Sequence, residues 1–313
     1  MPGAVIASRA LRALKGFPSR HPTGVTIAGA LVVVAALAVA LAGDYGEFIQ
    51  AFHAAPVWIL AAAGALQLVW LAVRSETWSA CVRSAGGTVA RRRLYPAASV
   101  GYLGNLLNGQ FGLAARIAAL RRADPHASPP ASVLLTSEVP IVVVEVALAA
   151  LMSFTLIGPL GLPSWFPIVG LAAALAVGAA LRAVARNRRE GAWRGLAVLR
   201  GMSGRNRVVA LVVFAVCLQI ARNWFVLNGV GVEASVFDAT ALLIAIAALG
   251  VLPVGPSVGA ASAVIVFGTD TGAAAAAGAL LTATAAGAAL AFAAVGLAMG
   301  MRRVQPSPAL AGP

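Results

Sequence analysis

The sequence predicts an all-α, polytopic integral membrane protein with about six transmembrane helices plus two oppositely oriented re-entrant helical hairpins. Composition, the lengths of the apolar runs and the placement of the charges carry that prediction. Of 313 residues, 60% fall in the set AVILMFWYC and 11% are charged. Counting the 33 glycines raises the apolar share to about 70%, against ~45–50% for soluble domains. Mean hydropathy is +0.90. So few polar side chains cannot coat a water-facing globule, which argues against a soluble enzyme.

The first apolar run is Gly24 to Gly43, ended by Asp44. A secretory h-region is shorter, at about 7–15 residues, so this run is expected to stay as an anchor. The second runs from Pro56 to Val73 and is closed by Arg74. Four more follow: Ala131–Ile157, Trp165–Leu181, Val208–Gly229 and Gly272–Met299. Each is long enough, or nearly so, to cross a hydrocarbon core of ~30 Å as a helix.

Charge placement gives orientation. The net charge of +13 would by itself fit a nucleic-acid binder. Mapped along the chain, the basic residues cluster before Gly24, after the second and fourth runs, and at Arg302 and Arg303. Cytoplasmic loops of membrane proteins are rich in Lys and Arg, so both termini and both large loops are expected in the cytoplasm. Nucleic acid is then not an expected partner. The expected division is a basic N-terminal tail (1–23), a membrane domain (24–301) with an Arg-rich cytoplasmic loop (182–207), and a disordered tail (302–313).

Two broken apolar stretches follow from the same rule. A full crossing at Pro96–Leu120 would put Arg116, Arg121 and Arg122 outside, so a hairpin entering from the cytoplasm fits better. Ala239–Gly268 is flanked by Glu233, Asp238 and Asp270, which fits a hairpin from the opposite face. The alternative is eight ordinary crossings with one violation of the charge rule. Paired discontinuous segments are the arrangement in which transporters place a site near mid-membrane.

Candidate binding residues lie in these hairpins and in the spans. Asn105, Asn108 and Gln110 are amides where a plain span would carry Leu or Val, and Gly109 and Gly112 permit a tight turn. Arg116, about a turn further on, is a phosphate-sized anchor. The plainer alternative is that the amides satisfy the turn and Arg116 is an interface residue. Glu138, Glu145 and Arg222 fall within spans, where ionisable groups face the bundle interior and pair. Arg222 is expected to meet Glu138 or Glu145, either across a substrate cavity or as a structural pair.

The segment Asn105-Leu-Leu-Asn-Gly-Gln-Phe-Gly-Leu-Ala-Ala-Arg116 resembles the Asn-Leu-Leu-Pro-x-Arg-x-Gly-Glu-x-x-Arg segment of the lysylphosphatidylglycerol synthase transmembrane (flippase-like) family. Leu252-Pro253-Val-Gly-Pro-Ser257-Val-Gly259 is similar to that family's second glycine-rich loop, adding Pro253, Ser257 and Gly259 as candidates. Asn105, Gly112 and Arg116 match the family pattern, while Asn108, Gln110 and Leu113 stand where it has proline, arginine and glutamate. The resemblance implies a bacterial inner-membrane protein, related to a domain that moves aminoacylated phospholipid between leaflets. Without most family charges, the chain is either a divergent member with another substrate or one without transport activity.

Other features exclude more than they assign. Gly255-Pro-Ser-Val-Gly259 fits a hydrolase nucleophile elbow, but that motif needs a strand–turn–helix and a triad histidine. Two cysteines and three scattered histidines form no metal-ligand pattern, so no metal or cofactor is expected. The Arg-rich loop, with Trp193 and Leu196 interleaved, is either a solvated connector or an amphipathic segment on the inner leaflet. The expected function is binding or translocation of an amphiphilic lipid: a phospholipid, an aminoacylated phospholipid or a polyprenyl-linked precursor. Alternatives are a non-transporting membrane scaffold for a lipid-modifying partner enzyme and an ion-coupled small-molecule exporter. Enzymatic activity is not expected, since no soluble transferase domain follows the last span.

Overall fold

A computed structural model describes residues 45–87, 89–107, 109–123, 129–188, 190–250, 257–268 and 271–301. The basic tail (1–23), the first apolar run (24–43), Asn108, Pro253 and the C-terminal tail (302–313) lie outside the described residues. All regular structure among the described residues is helical. Five helical segments there are long and apolar enough to cross a membrane: Val57–Ser84, Ala131–Leu160, Phe166–Asn187, Met202–Gly229 and Gly272–Val295. These correspond to the five later runs of the sequence.

A short helix α1 (Tyr45–Ala54) leads through Pro56, which caps α2 (Val57–Ser84). Helix α2 does not stop at Arg74, as hydropathy alone predicts, but continues to Ser84. The reason lies in its buried face, where Gln67, Leu71, Ser75, Trp78 and Val82 keep helical spacing across the charges. Helices α3 (Arg91–Leu107) and α4 (Gly109–Ala123) form the first hairpin. Its arms approach closely because Gly101, Gly104 and Gly112 face one another. A Cβ on Gly112 would stand 1.7 Å from Asn105 Oδ1 and 2.5 Å from the Gly101 carbonyl oxygen.

The third span is broken. Helix α5 (Ala131–Thr136) ends at Ser137, and α6 (Val139–Met152) begins beyond Glu138. Pro140 has no N–H for the Thr136 carbonyl and its ring crowds that turn, so the helical hydrogen-bond ladder is interrupted there although Ser137 and Glu138 keep right-handed helical dihedrals. A 3-10 turn (Ser153–Leu156) and a single turn α7 (Ile157–Leu160) complete the segment. Helix α8 (Phe166–Asn187) then continues through Arg182 and Arg186. The remaining connector folds as a 3-10 run, Gly191–Leu199. Its Gly195 presses on Thr136, and Leu196 is buried, so one face packs on the protein rather than lying free on a leaflet.

Helix α9 (Met202–Gly229) runs antiparallel to α2, with Gly204 near Ser84, Gln219 bonded to Gln67, and Gly229 against Ile59. A capping box at Ser235 and Asp238 opens α10 (Val236–Leu249), which pairs with α11 (Val258–Phe267) as the second broken segment. Helix α12 (Thr271–Met301) closes the bundle. The first hairpin packs near the C-terminal halves of α2 and α12, through Arg91–Glu76 and Tyr95–Phe292. The second packs near the opposite ends, through Asn223–Ala239 and Gly259–Gly278. The two broken segments therefore pack against opposite ends of one bundle.

Candidate functional site

Three elements bring charge to one place. The break before Pro140 puts Glu138 at a corner of the third span, turned inward and 8% exposed. Arg74 reaches it from α2, with Nη2 2.6 Å from Glu138 Oε1. Arg116 reaches its other oxygen from α4. Arg74 also extends Nη1 to 2.8 Å from Glu145 Oε1, two turns further along the third span. Glu138 and Glu145, seven residues apart, thus share one arginine. Trp78 completes the arrangement: the Arg116 guanidinium carbon stands 4.1 Å from its ring centroid. A cation over an indole face is attracted by the ring quadrupole, which holds Arg116 in place.

Beside these pairs lies a cavity of about 240 Å³. Arg74, Arg116 and Glu138 form its charged wall, and Gly101, Tyr102, Asn105 and Gly112 of the first hairpin form another. Asn105 and Val142 line it and are also exposed at the protein surface, so it is open there. Val142, at that opening, is an exposed aliphatic residue. The Glu145 side chain is 36% exposed beside it. Charge inside and aliphatic surface outside is the division an amphiphile presents.

Two donors of the cluster have no acceptor among the described residues. Trp78 Nε1 and Arg116 Nε are both buried and unpartnered. Buried polar atoms are satisfied in the great majority of cases, which sets these two donors apart.

The site gathers Asn105, Gly112, Arg116, Glu138 and Glu145. Gln110 belongs to α4. Arg222 does not join the glutamates, contrary to the expected pairing. It points from α9 to α12, donating to the Leu281 carbonyl and, at 2.8 Å, to Thr284 Oγ1. The glutamates are already held by Arg74 and Arg116 from the other side of α2. Ser257 caps α11, and Gly259 packs on Gly278 of α12, apart from the cavity lining. Arg74 is the functional residue that hydropathy hides, because a charge ending an apolar run reads as a boundary. Its signal is the unbroken helical spacing from Gln67 to Val82.

Five membrane-length helical segments, packed around an ion-paired cavity open to the surface, define a polytopic α-helical membrane protein. The family described as the lysylphosphatidylglycerol synthase TM region matches residues 26–301, and the chain belongs to it. That membership relates the protein to lipid handling in membranes. No curated protein and no solved structure matches the chain.

Proposed function

We propose that the protein binds the headgroup of an amphiphilic lipid in the lateral cavity and moves it between the leaflets of the bacterial inner membrane. Both termini are assigned to the cytoplasm, on the distribution of arginines. The carrying observation is the open cavity: its charged wall of Arg74, Arg116 and Glu138 stands beside the exposed aliphatic Val142. With that opening toward the bilayer, a lipid can keep its tails in the hydrocarbon while its headgroup meets the charges. Irregular backbone at membrane depth is tolerated where it lines a polar cavity, and the glycine-packed hairpin fits that role. The chain binds and moves the lipid without transforming it, and needs no cofactor. Phospholipids, aminoacylated phospholipids and polyprenyl-linked precursors all have the required division of polarity.

A scaffold for a lipid-modifying enzyme is the second reading. It is favoured by the fact that two arginines and two glutamates neutralise one another without any ligand. Proteoliposomes carrying fluorescent phospholipids separate the two. Movement faster than in protein-free liposomes, and reduced in Arg116→Ala, supports translocation. Equal rates in both preparations support the scaffold.

A further inference from the structure

Four ionisable side chains pair where α2, the third span and the first hairpin meet, and a fifth, Arg222, stands apart from them on α9, against α12. Arg74 and Arg116 are balanced by Glu138 and Glu145. Arg222 has no carboxylate within ion-pair distance among the described residues. It is 4% exposed, and its acceptors are neutral: the Leu281 carbonyl, Thr284 Oγ1 and, at 3.4 Å, Gln219 Oε1. A buried guanidinium held only by dipoles keeps an uncompensated charge, the costliest kind of buried group.

The surroundings are also rich in donors. Among the described residues Arg222 Nε has no acceptor, and neither has Nε2 of Gln67, whose Oε1 accepts from Gln219 at 2.9 Å. An arginine and an amide joined through Gln219 thus present two buried, unused N–H groups. The place adjoins the lateral cavity: Gln67 stands one turn before Leu71 on the buried face of α2, and Leu71 and Tyr102 both line that cavity.

We propose that Arg222, with Gln67, forms a second anion site, deeper than the lateral cavity, that takes a phosphate group. The inference rests on the lateral-cavity reading for its route of access, past Tyr102. It differs in where the anion rests: Arg116 and Arg74 must release Glu138 to take one, whereas Arg222 has no carboxylate to give up. Guanidinium groups suit phosphate because several N–H donors meet several oxygens at once.

The test is native mass spectrometry of the full chain in a neutral detergent, titrated with dioleoyl phosphatidic acid, dioleoylglycerol or inorganic phosphate. Wild type is expected to take phosphatidic acid in two steps and dioleoylglycerol in neither. Arg222→Gln weakens one step about tenfold, the scale of one charge-assisted hydrogen bond. Arg116→Gln weakens the other. Gln67→Leu, which nearly conserves volume and leaves the Arg222 bonds to α12 intact, weakens the Arg222 step about threefold. It serves as the second probe if Arg222→Gln does not fold. Competition by inorganic phosphate for the Arg222 step would show a site open to the free anion. No competition would show one that requires the lipid, and either result upholds the site. Two unchanged steps in a folded Arg222→Gln or Gln67→Leu protein overturn the proposal. So does a single wild-type step removed by Arg116→Gln, which leaves the lateral-cavity reading standing. Two steps with no lipid movement in liposomes uphold the site and remove translocation.

Discussion

Arg116, on the returning arm of the first hairpin, is ion-paired to Glu138 at the break in the third span. That bond ties a hairpin to a span through a residue that Arg74 of α2 also holds. Removing Glu138 would leave the buried Arg116 guanidinium without a carboxylate, while Arg74 keeps Glu145. Breaking a buried pair by deleting one partner costs about 3–5 kcal/mol, because the remaining charge is unpaired. Glu138→Gln is therefore expected to lower thermal stability in detergent far more than Glu145→Gln, whose carboxylate is partly exposed. The double variant Glu138→Gln/Arg116→Gln should recover part of the loss, and scanning fluorimetry of wild type, Glu138→Gln, Arg116→Gln and the double variant measures the coupling.

Close packing of the hairpin arms gives a second prediction. Gly112→Ala places a methyl group into Asn105 and the Gly101 carbonyl, both backed by helix. Gly64→Ala, in α2, meets nothing within 4 Å. The first change should destabilise by more than ~1 kcal/mol through overpacking. The second should stabilise by about 0.5–1 kcal/mol through helix propensity. Unfolding midpoints of the two variants should move in opposite directions.

The capping box of α10 gives a third. Ser235 Oγ accepts from the Asp238 N–H while Asp238 Oδ2 accepts from the Ser235 N–H. Ser235→Ala is expected to cost about 1 kcal/mol. Amide exchange in the first turn of α10 should rise before that of neighbouring α11.

Orientation is a fourth. With Cys81 and Cys217 replaced by alanine, Arg122→Cys and Glu233→Cys report opposite faces. Both wild-type side chains are exposed, beside different broken segments. The account predicts that an impermeant maleimide labels position 233 in intact spheroplasts and position 122 only after permeabilisation. Eight full crossings would expose position 122 in intact spheroplasts.

Much of the fold was legible in the sequence because membrane spans are set by run length, and the five later runs all fold as long helical segments. The site was legible in part. Asn105, Gly112 and Arg116 stood out as a polar, glycine-rich break in an apolar stretch, and Glu138 and Glu145 as charges within a run. Arg74 did not stand out, because hydropathy treats a charge at the end of a run as its end. The break at Glu138 was hidden for a related reason: Pro140 lies in a run whose average hydropathy it hardly alters. The partner of Arg222 was illegible because spacing along one helix does not say which helix lies opposite. Glu138 and Glu145 face α2, whereas Arg222 faces α12.

The central claim is that a lipid headgroup enters the charged cavity through its lateral mouth. Val142 lines that mouth, and Val146, one turn along the same helix, is equally apolar and exposed but lies outside the cavity lining. The most direct measurement is the rate of fluorescent-phospholipid movement in proteoliposomes of wild type, Val142→Trp and Val146→Trp, all reconstituted to the same density. The account predicts that Val142→Trp slows movement at least about tenfold, a barrier change of roughly 1.4 kcal/mol, while Val146→Trp leaves it near the wild-type rate. Equal rates in all three proteins, or equal loss in both variants, would contradict it.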